Sequence, residues 1–162
     1  MSLLNQSLRP DKIYINVPIK YKRFSEKFIE PEYLRKYEKV KVFYLDEDYG
    51  PATKFIGALL NPEISNSDYV FITDDDVKKK RYWLQILFKK FISLKKTTIC
   101  SYVELNLGKK IIWGYLGYVF TKNMIDTNDL LLFFENVSDV CFLVDDHWFT
   151  GYCHYRMIPI YN

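Results

Sequence analysis

The stretch Asp68-Tyr69-Val70-Phe71-Ile72-Thr73-Asp74-Asp75-Asp76 decides how this chain is read. Its first part is a near-continuous apolar run, the pattern of a parallel strand covered on both faces. Its last part is three adjacent carboxylates. Like charges at that spacing repel one another, so acids at the mouth of a buried strand point to a cation or a polyphosphate that they hold. An acidic start to the helix that follows explains the same letters, because carboxylates favour the positive end of a helix dipole. On these residues alone both readings stand.

Working outward, residues 12–17 read as a strand closed by Pro18, and residues 40–45 as another, with a short helix between them starting near Pro31. Asp48-Tyr49-Gly50-Pro51 punctuates the chain. Proline is favoured in the first helical turn, which predicts a helix over 51–60 capped by Gly50 or Asp48. Trp83, Leu84, Ile86, Leu87, Phe88, Phe91 and Ile92 recur at helical spacing and predict a helix over 80–94. Residues 97–103 and 111–120 read as strands, the second interrupted at Gly114 and Gly117. Residues 143–152 read as a helix starting near Asp145, and 157–161 as a last short strand. Residues 126–139 are taken as a variable loop. Strands alternating with helices predict an α/β fold with a mostly parallel sheet.

A chain of 162 residues suffices for one domain with a full core. Hydrophobic residues make up 49% and charged residues 27%, which excludes a disordered composition. The net charge of +3 is small, and the lysine pairs at 89–90, 95–96 and 109–110 are dispersed, which argues against a nucleic-acid footprint. Cys100, Cys141 and Cys153 have neither metal-ligand nor redox spacing and read as buried thiols in a reducing, cytoplasmic compartment. No apolar run reaches the roughly 20 residues of a membrane span.

Ligands of open α/β sheets bind beyond the carboxyl ends of the strands, where Asp74, Asp75 and Asp76 fall. Carboxylate oxygens suit Mg²⁺ or Mn²⁺ and leave coordination sites for substrate phosphates. Lys54, one turn inside a helix with free N–H groups at its start, suits phosphate oxygens, though a solvated helix lysine has the same pattern. Asp145-Asp146-His147-Trp148 places a carboxylate beside an aromatic wall, either as a general base with a raised pKa or as a helix cap. His147 and His154 are the only histidines, and a lone histidine more often packs than ligates. Trp113, Gly114, Tyr115, Gly117 and Tyr118 suit a sugar face or a bulged, packed strand equally.

Four blocks together resemble the GT-A-fold glycosyltransferases, nearest to family-2-like, virus-encoded and bacterial members. They are residues 2–14 (SLLNQSLRPDKIY), residues 48–54 (DYGPATK), Asp74-Asp75-Asp76, and Asp145-Asp146 ahead of Trp148. The resemblance implies a single Rossmann-like, GT-A-like domain over residues 1–162. The implied activity is metal-dependent transfer of a sugar from a nucleotide-sugar donor, such as a UDP-sugar, to a glycan or other hydroxyl acceptor, with inversion. It implies Asp74 toward the ribose and, with Asp76, on Mn²⁺ or Mg²⁺. Asp146 would be the catalytic base, while Asp48, Lys54, Asp75, Gly117, Asp145 and Trp148 would contact substrate. Relatives carry a first strand upstream of the Leu-Asn-Gln block, so the chain is expected to be N-terminally shortened. With the sequence stopping soon after Tyr161, little room is expected for the C-terminal histidine ligand that many such enzymes carry. The expected location is cytoplasmic, the host cytoplasm if the chain is viral. Two alternatives remain at this level: a non-catalytic nucleotide- or sugar-binding module, and a metal-dependent phosphohydrolase or nuclease.

Overall fold

A computed structural model describes residues 2–101, 103–106 and 109–161. In chain order the strands are β1 (Ile13–Pro18), β2 (Val40–Leu45), β3 (Tyr69–Ile72), β4 (Ile99–Ser101), β5 (Val103–Asn106), β6 (Lys109–Ile112), β7 (Tyr118–Thr121) and β8 (Ile160–Tyr161). The helices are α1 (Thr53–Leu60), α2 (Trp83–Ser93), α3 (Thr127–Glu135) and α4 (Asp145–Tyr155). β1 and β2 pair in parallel, from Ile13 opposite Val40 to Pro18 opposite Leu45. A second sheet has the order β3-β7-β4-β8, with β7 antiparallel to both neighbours and β4 parallel to β8. β5 and β6 form an antiparallel pair.

The two-residue period of the strands sorts the core into two layers. Val70, Ile72, Tyr118, Phe120 and Ile99 join Phe55 and Ile56 of α1, Leu130 of α3, and Trp148, Phe149 and Tyr152 of α4 in one buried cluster. Their neighbours in sequence, Val119 and Cys100, join Trp83, Leu84, Leu87 and Phe91 of α2 on the opposite face, with Phe71 packed alongside. The second sheet is thus covered on both sides.

The sheets are mixed, which corrects the mostly parallel arrangement expected from sequence. The apolar run 69–72 is compatible with burial on two faces but says nothing of partner direction, and its partner β7 is antiparallel and begins just after a turn at Trp113–Gly117. That turn breaks the strand expected over 111–120. The Gly117 N–H donates to the Trp113 carbonyl at 3.1 Å, and Gly117 has φ +90°. A Cβ on Gly117 would lie 2.1 Å from the Trp83 ring, so the close packing of this turn on α2 requires glycine.

α2 starts at Trp83 rather than 80 because the N-terminal arm occupies the backbone groups before it. Buried Gln6 donates to the Lys80 carbonyl at 2.9 Å and accepts from the Leu84 N–H at 3.0 Å, and the Ser7 N–H donates to the Arg81 carbonyl at 2.8 Å. Residues 126–139 are not a loop throughout: Asp126 caps α3 by accepting from the Asp129 N–H at 3.1 Å. Of the strand expected over 97–103, residue 102 lies outside the described residues. The three cysteines are free, and Cys141 is half-exposed rather than buried.

Candidate functional site

Gly50, at φ +60°, and Pro51 open a 3-10 turn that runs directly into α1. Asp48 fixes the approach to it: its buried carboxylate accepts from the Gly50 and Lys22 N–H groups, both at 2.8 Å. β1 fixes the other side, because the Asn16 amide donates to the Lys54 carbonyl at 2.8 Å. Gly57 permits that approach, since a Cβ there would meet Asn16 at 2.5 Å. The first turn of α1 is therefore held from two directions, with Lys54 pointing across to other elements.

The Lys54 Nζ lies 2.7 Å from Asp74 Oδ1 just past β3, 2.9 Å from Asp145 Oδ2, and 3.8 Å from Asp146 Oδ1 in the first turn of α4. Asp145 Oδ2 makes no aligned hydrogen bond, so its contact with the ammonium is coulombic. Asp146 Oδ1 also accepts from the Gly114 N–H at 2.9 Å. Gly114 leaves room for this meeting, because a Cβ would fall 2.5 Å from Lys54 Nζ and 2.9 Å from Asp146 Oδ1. Thr150 ties α4 to β6: its hydroxyl donates to the Asp146 carbonyl at 2.6 Å and accepts from the Ile112 N–H at 3.0 Å.

Burial, reinforced by the neighbouring Asp145 charge, raises the Asp146 carboxyl from 3.8 to about 6, against the opposing pull of Lys54 and the Gly114 N–H. Burial also raises Asp145, with Lys54 opposing. For Lys54, burial favours the neutral amine, but Asp145, Asp74 and Asp146 outweigh it and the net shift is upward. The group is a charged lysine among three carboxylates, one of which takes up or releases a proton near neutral pH.

These residues line one end of a cavity of about 1090 Å³ that continues down between β1 and β3. Asp74, Asp75, Asp76, Lys54, Asp145 and Asp146 all lie on its wall, so six of the sequence-selected residues share one site. Asp75 and Asp76 are exposed and make no hydrogen bond or ion pair among the described residues. Asp48, Gly117 and Trp148 are not brought to that wall. Asp48 serves the loop backbone, Gly117 packs on Trp83, and Trp148 is buried among Phe55, Phe134 and Phe149. His147 meets the edge of the Trp113 ring at 5.7 Å, and His154 is exposed.

Sequence reasoning missed Lys79, Thr150 and Asn16, and saw Gly114 only as part of a cluster. Lys79 is buried, donates to the Tyr115 carbonyl and lies over the Trp83 ring, so it pins the turn beside the carboxylates. Burial lowers its pKa, with Asp74 and Asp76 opposing. Nothing in a string of lysines distinguishes this one. Polar residues within apolar elements, Asn16 in β1 and Thr150 in α4, were the available signal for the other two.

Among the described residues no group of three or more His, Cys, Asp or Glu side chains is gathered to hold a metal ion by itself. Asp74 and Asp76 offer hard carboxylate oxygens that fit Mg²⁺ or Mn²⁺ in kind, with substrate phosphates completing the shell. Lys54 already neutralises part of the Asp74 charge. No helix among the described residues is long and apolar enough to cross a membrane. No family model matches the chain, and no curated protein matches it.

Proposed function

We propose that this chain is a GT-A-like glycosyltransferase that moves a sugar from a nucleotide-sugar donor to a hydroxyl acceptor with inversion. The observation that carries this reading is Asp146. It is a mostly buried carboxylate on the cavity wall, raised to about 6, oriented by the Gly114 N–H and facing Lys54 and Asp74. A general base works best when its pKa lies near the operating pH.

Asp146 takes the proton of the acceptor hydroxyl. The acceptor oxygen attacks the anomeric carbon from the face opposite the nucleoside diphosphate, and the bond to the diphosphate breaks with the electron pair leaving on its oxygen. Lys54 at the opening of α1 supplies positive charge toward that departing oxygen. Mg²⁺ or Mn²⁺ held by Asp74 and Asp76 would supply further neutralisation of the diphosphate when bound. Asp75 and Asp145 shape the charge of the same wall. The alternative of a non-catalytic nucleotide- or sugar-binding module draws on the Lys54–Asp74 ion pair, which already satisfies one of the proposed metal ligands.

Turnover separates the two readings. The expected result, across a panel of nucleotide sugars with Mn²⁺ present, is donor consumption that falls by about 10²-fold or more in Asp146→Asn while the variant stays folded. Nucleotide binding without turnover on any donor assigns the module instead. Undiminished transfer by Asp146→Asn removes it as the base.

A further inference from the structure

Lys79 is a buried charge for which the proposed mechanism has no use. It is 7% exposed, and its ammonium makes no ion pair among the described residues: it donates to the Tyr115 carbonyl and lies 5.2 Å from the centre of the Trp83 ring. Asp74 and Asp76 act on it as charges without bonding to it. Burying an ammonium away from any carboxylate is costly, and an apolar side chain of similar length fills the same space without that cost. What the ammonium adds is a fixed donor on one carbonyl.

The next carbonyl is held in the same way. Trp83, the first residue of α2, donates its indole N–H to the Leu116 carbonyl at 2.8 Å. Both bonds fall on the turn between β6 and β7, whose internal bonds run from the Leu116 and Gly117 N–H groups to the Trp113 carbonyl at 3.2 and 3.1 Å. Two glycines, 114 and 117, leave this turn conformationally loose unless its surroundings hold it. Its other face meets the start of α4. There the Gly114 N–H donates to Asp146 Oδ1 at 2.9 Å, and the Trp113 ring meets His147 edge-on. The turn is fastened by Lys79 and Trp83 on one side and holds Asp146 on the other.

We propose that Lys79 and Trp83 are positioning residues for Asp146, acting through the Tyr115 and Leu116 carbonyls to keep the Gly114 N–H on its carboxylate. An N–H donated to a carboxylate favours the ionised form, so a turn released from either donor leaves Asp146 harder to ionise. The other groups that face Asp146 are Lys54 of α1, Asp145 beside it and Asp74 past β3. Substitutions at 79 and 83 leave all three in place. The bearing of the clasp on turnover rests on the proposed role of Asp146 as base, but the clasp itself is measured without turnover.

The measurement is the Gly114 amide proton shift, followed by NMR between about pH 4 and 8. In the native protein it is expected to track ionisation of Asp146, with a midpoint at about 6. Trp83→Phe keeps a ring and every charge but removes the indole donor. The expected result is a titration amplitude cut by about half or more, with the midpoint moved upward. Lys79→Met removes the other donor together with its charge and is expected to do the same, while Lys79→Arg, which keeps a charged donor, restores part of the amplitude. Native amplitude and midpoint in folded Trp83→Phe overturn the proposal, and a change confined to Lys79→Met assigns the effect to lost charge and overturns it too. Should Lys79→Met not fold, Trp83→Phe decides alone. The expected shifts without consumption of any sugar donor remove Asp146 as a base and leave the clasp standing, whereas turnover with unaltered shifts removes the clasp alone.

Discussion

Asp75–Asp76 and Asp145–Asp146 are the same dipeptide on the wall of one cavity, and they differ in almost every physical respect. The first pair stands in solvent without a partner among the described residues. The second lies in the first turn of α4, largely buried, with Lys54 across from it and the Gly114 N–H on one oxygen. Adjacent acids alone concentrate charge. Burial beside a second carboxylate, with one cation opposing, is what moves a proton affinity into the working range.

The strongest way to break this contrast is to remove the cation. Lys54→Met leaves Asp74, Asp145 and Asp146 facing one another, and the expected cost is about 3 kcal/mol in chemical denaturation, as for other buried pairs that lose one partner. The Asp146 pKa is expected to rise further, so any activity that depends on its ionised form shifts to higher pH. An unchanged pH profile in Lys54→Met would remove the lysine from the charge balance.

pH itself probes the buried pair next. Asp146 ionises near 3.8 when exposed and near 6 in the folded chain. Because the unfolded chain gives up that proton first, this contribution to stability is full below pH 4 and is lost as pH rises through 6. The loss is about 3 kcal/mol for a shift of this size. Melting temperature followed from pH 4 to 7 is expected to show this decline in the native protein and a flatter line in Asp146→Asn. Activity runs the other way, rising through about pH 6 as the base ionises.

Smaller effects sharpen the contrast. Gly114→Ala pushes against the Lys54 ammonium and Asp146 Oδ1, and because the lysine end can move, the expected cost is about 1–2 kcal/mol by urea unfolding. Asp75→Asn is expected to change stability by less than about 0.5 kcal/mol. A large loss in Asp75→Asn would mean that the exposed pair has a structural partner after all.

Much of the fold could be read from the chain because its signals are local. The apolar runs at 40–45 and 69–72, the helical period through Trp83–Ser93 and the proline before α1 each act within a few residues. What was not legible depends on contacts between distant segments. The antiparallel pairing of β3 with β7 joins segments far apart in the chain, and the late start of α2 goes with Gln6 and Ser7 bonding to the backbone of residues 80, 81 and 84. α3 was missed because Leu130, Leu131, Leu132, Phe133 and Phe134 are consecutive and show no helical period. Within the site, adjacency revealed the carboxylates, and Lys54 was selected for its place in a helix. That its ammonium would meet acids from two other elements was not legible. Trp148 illustrates the opposite error: a ring next to an acid suggests a wall, while its indole belongs to the core.

The contact between Asn16 and Gly57 has a consequence for how this sequence can vary. The amide of one occupies the space that any side chain on the other would need. The two positions therefore behave as a single heritable unit. A screen that changes residues one at a time will score both as intolerant, whereas a smaller residue at 16 makes room for alanine at 57. Sequence change at this junction of β1 and α1 should proceed in pairs.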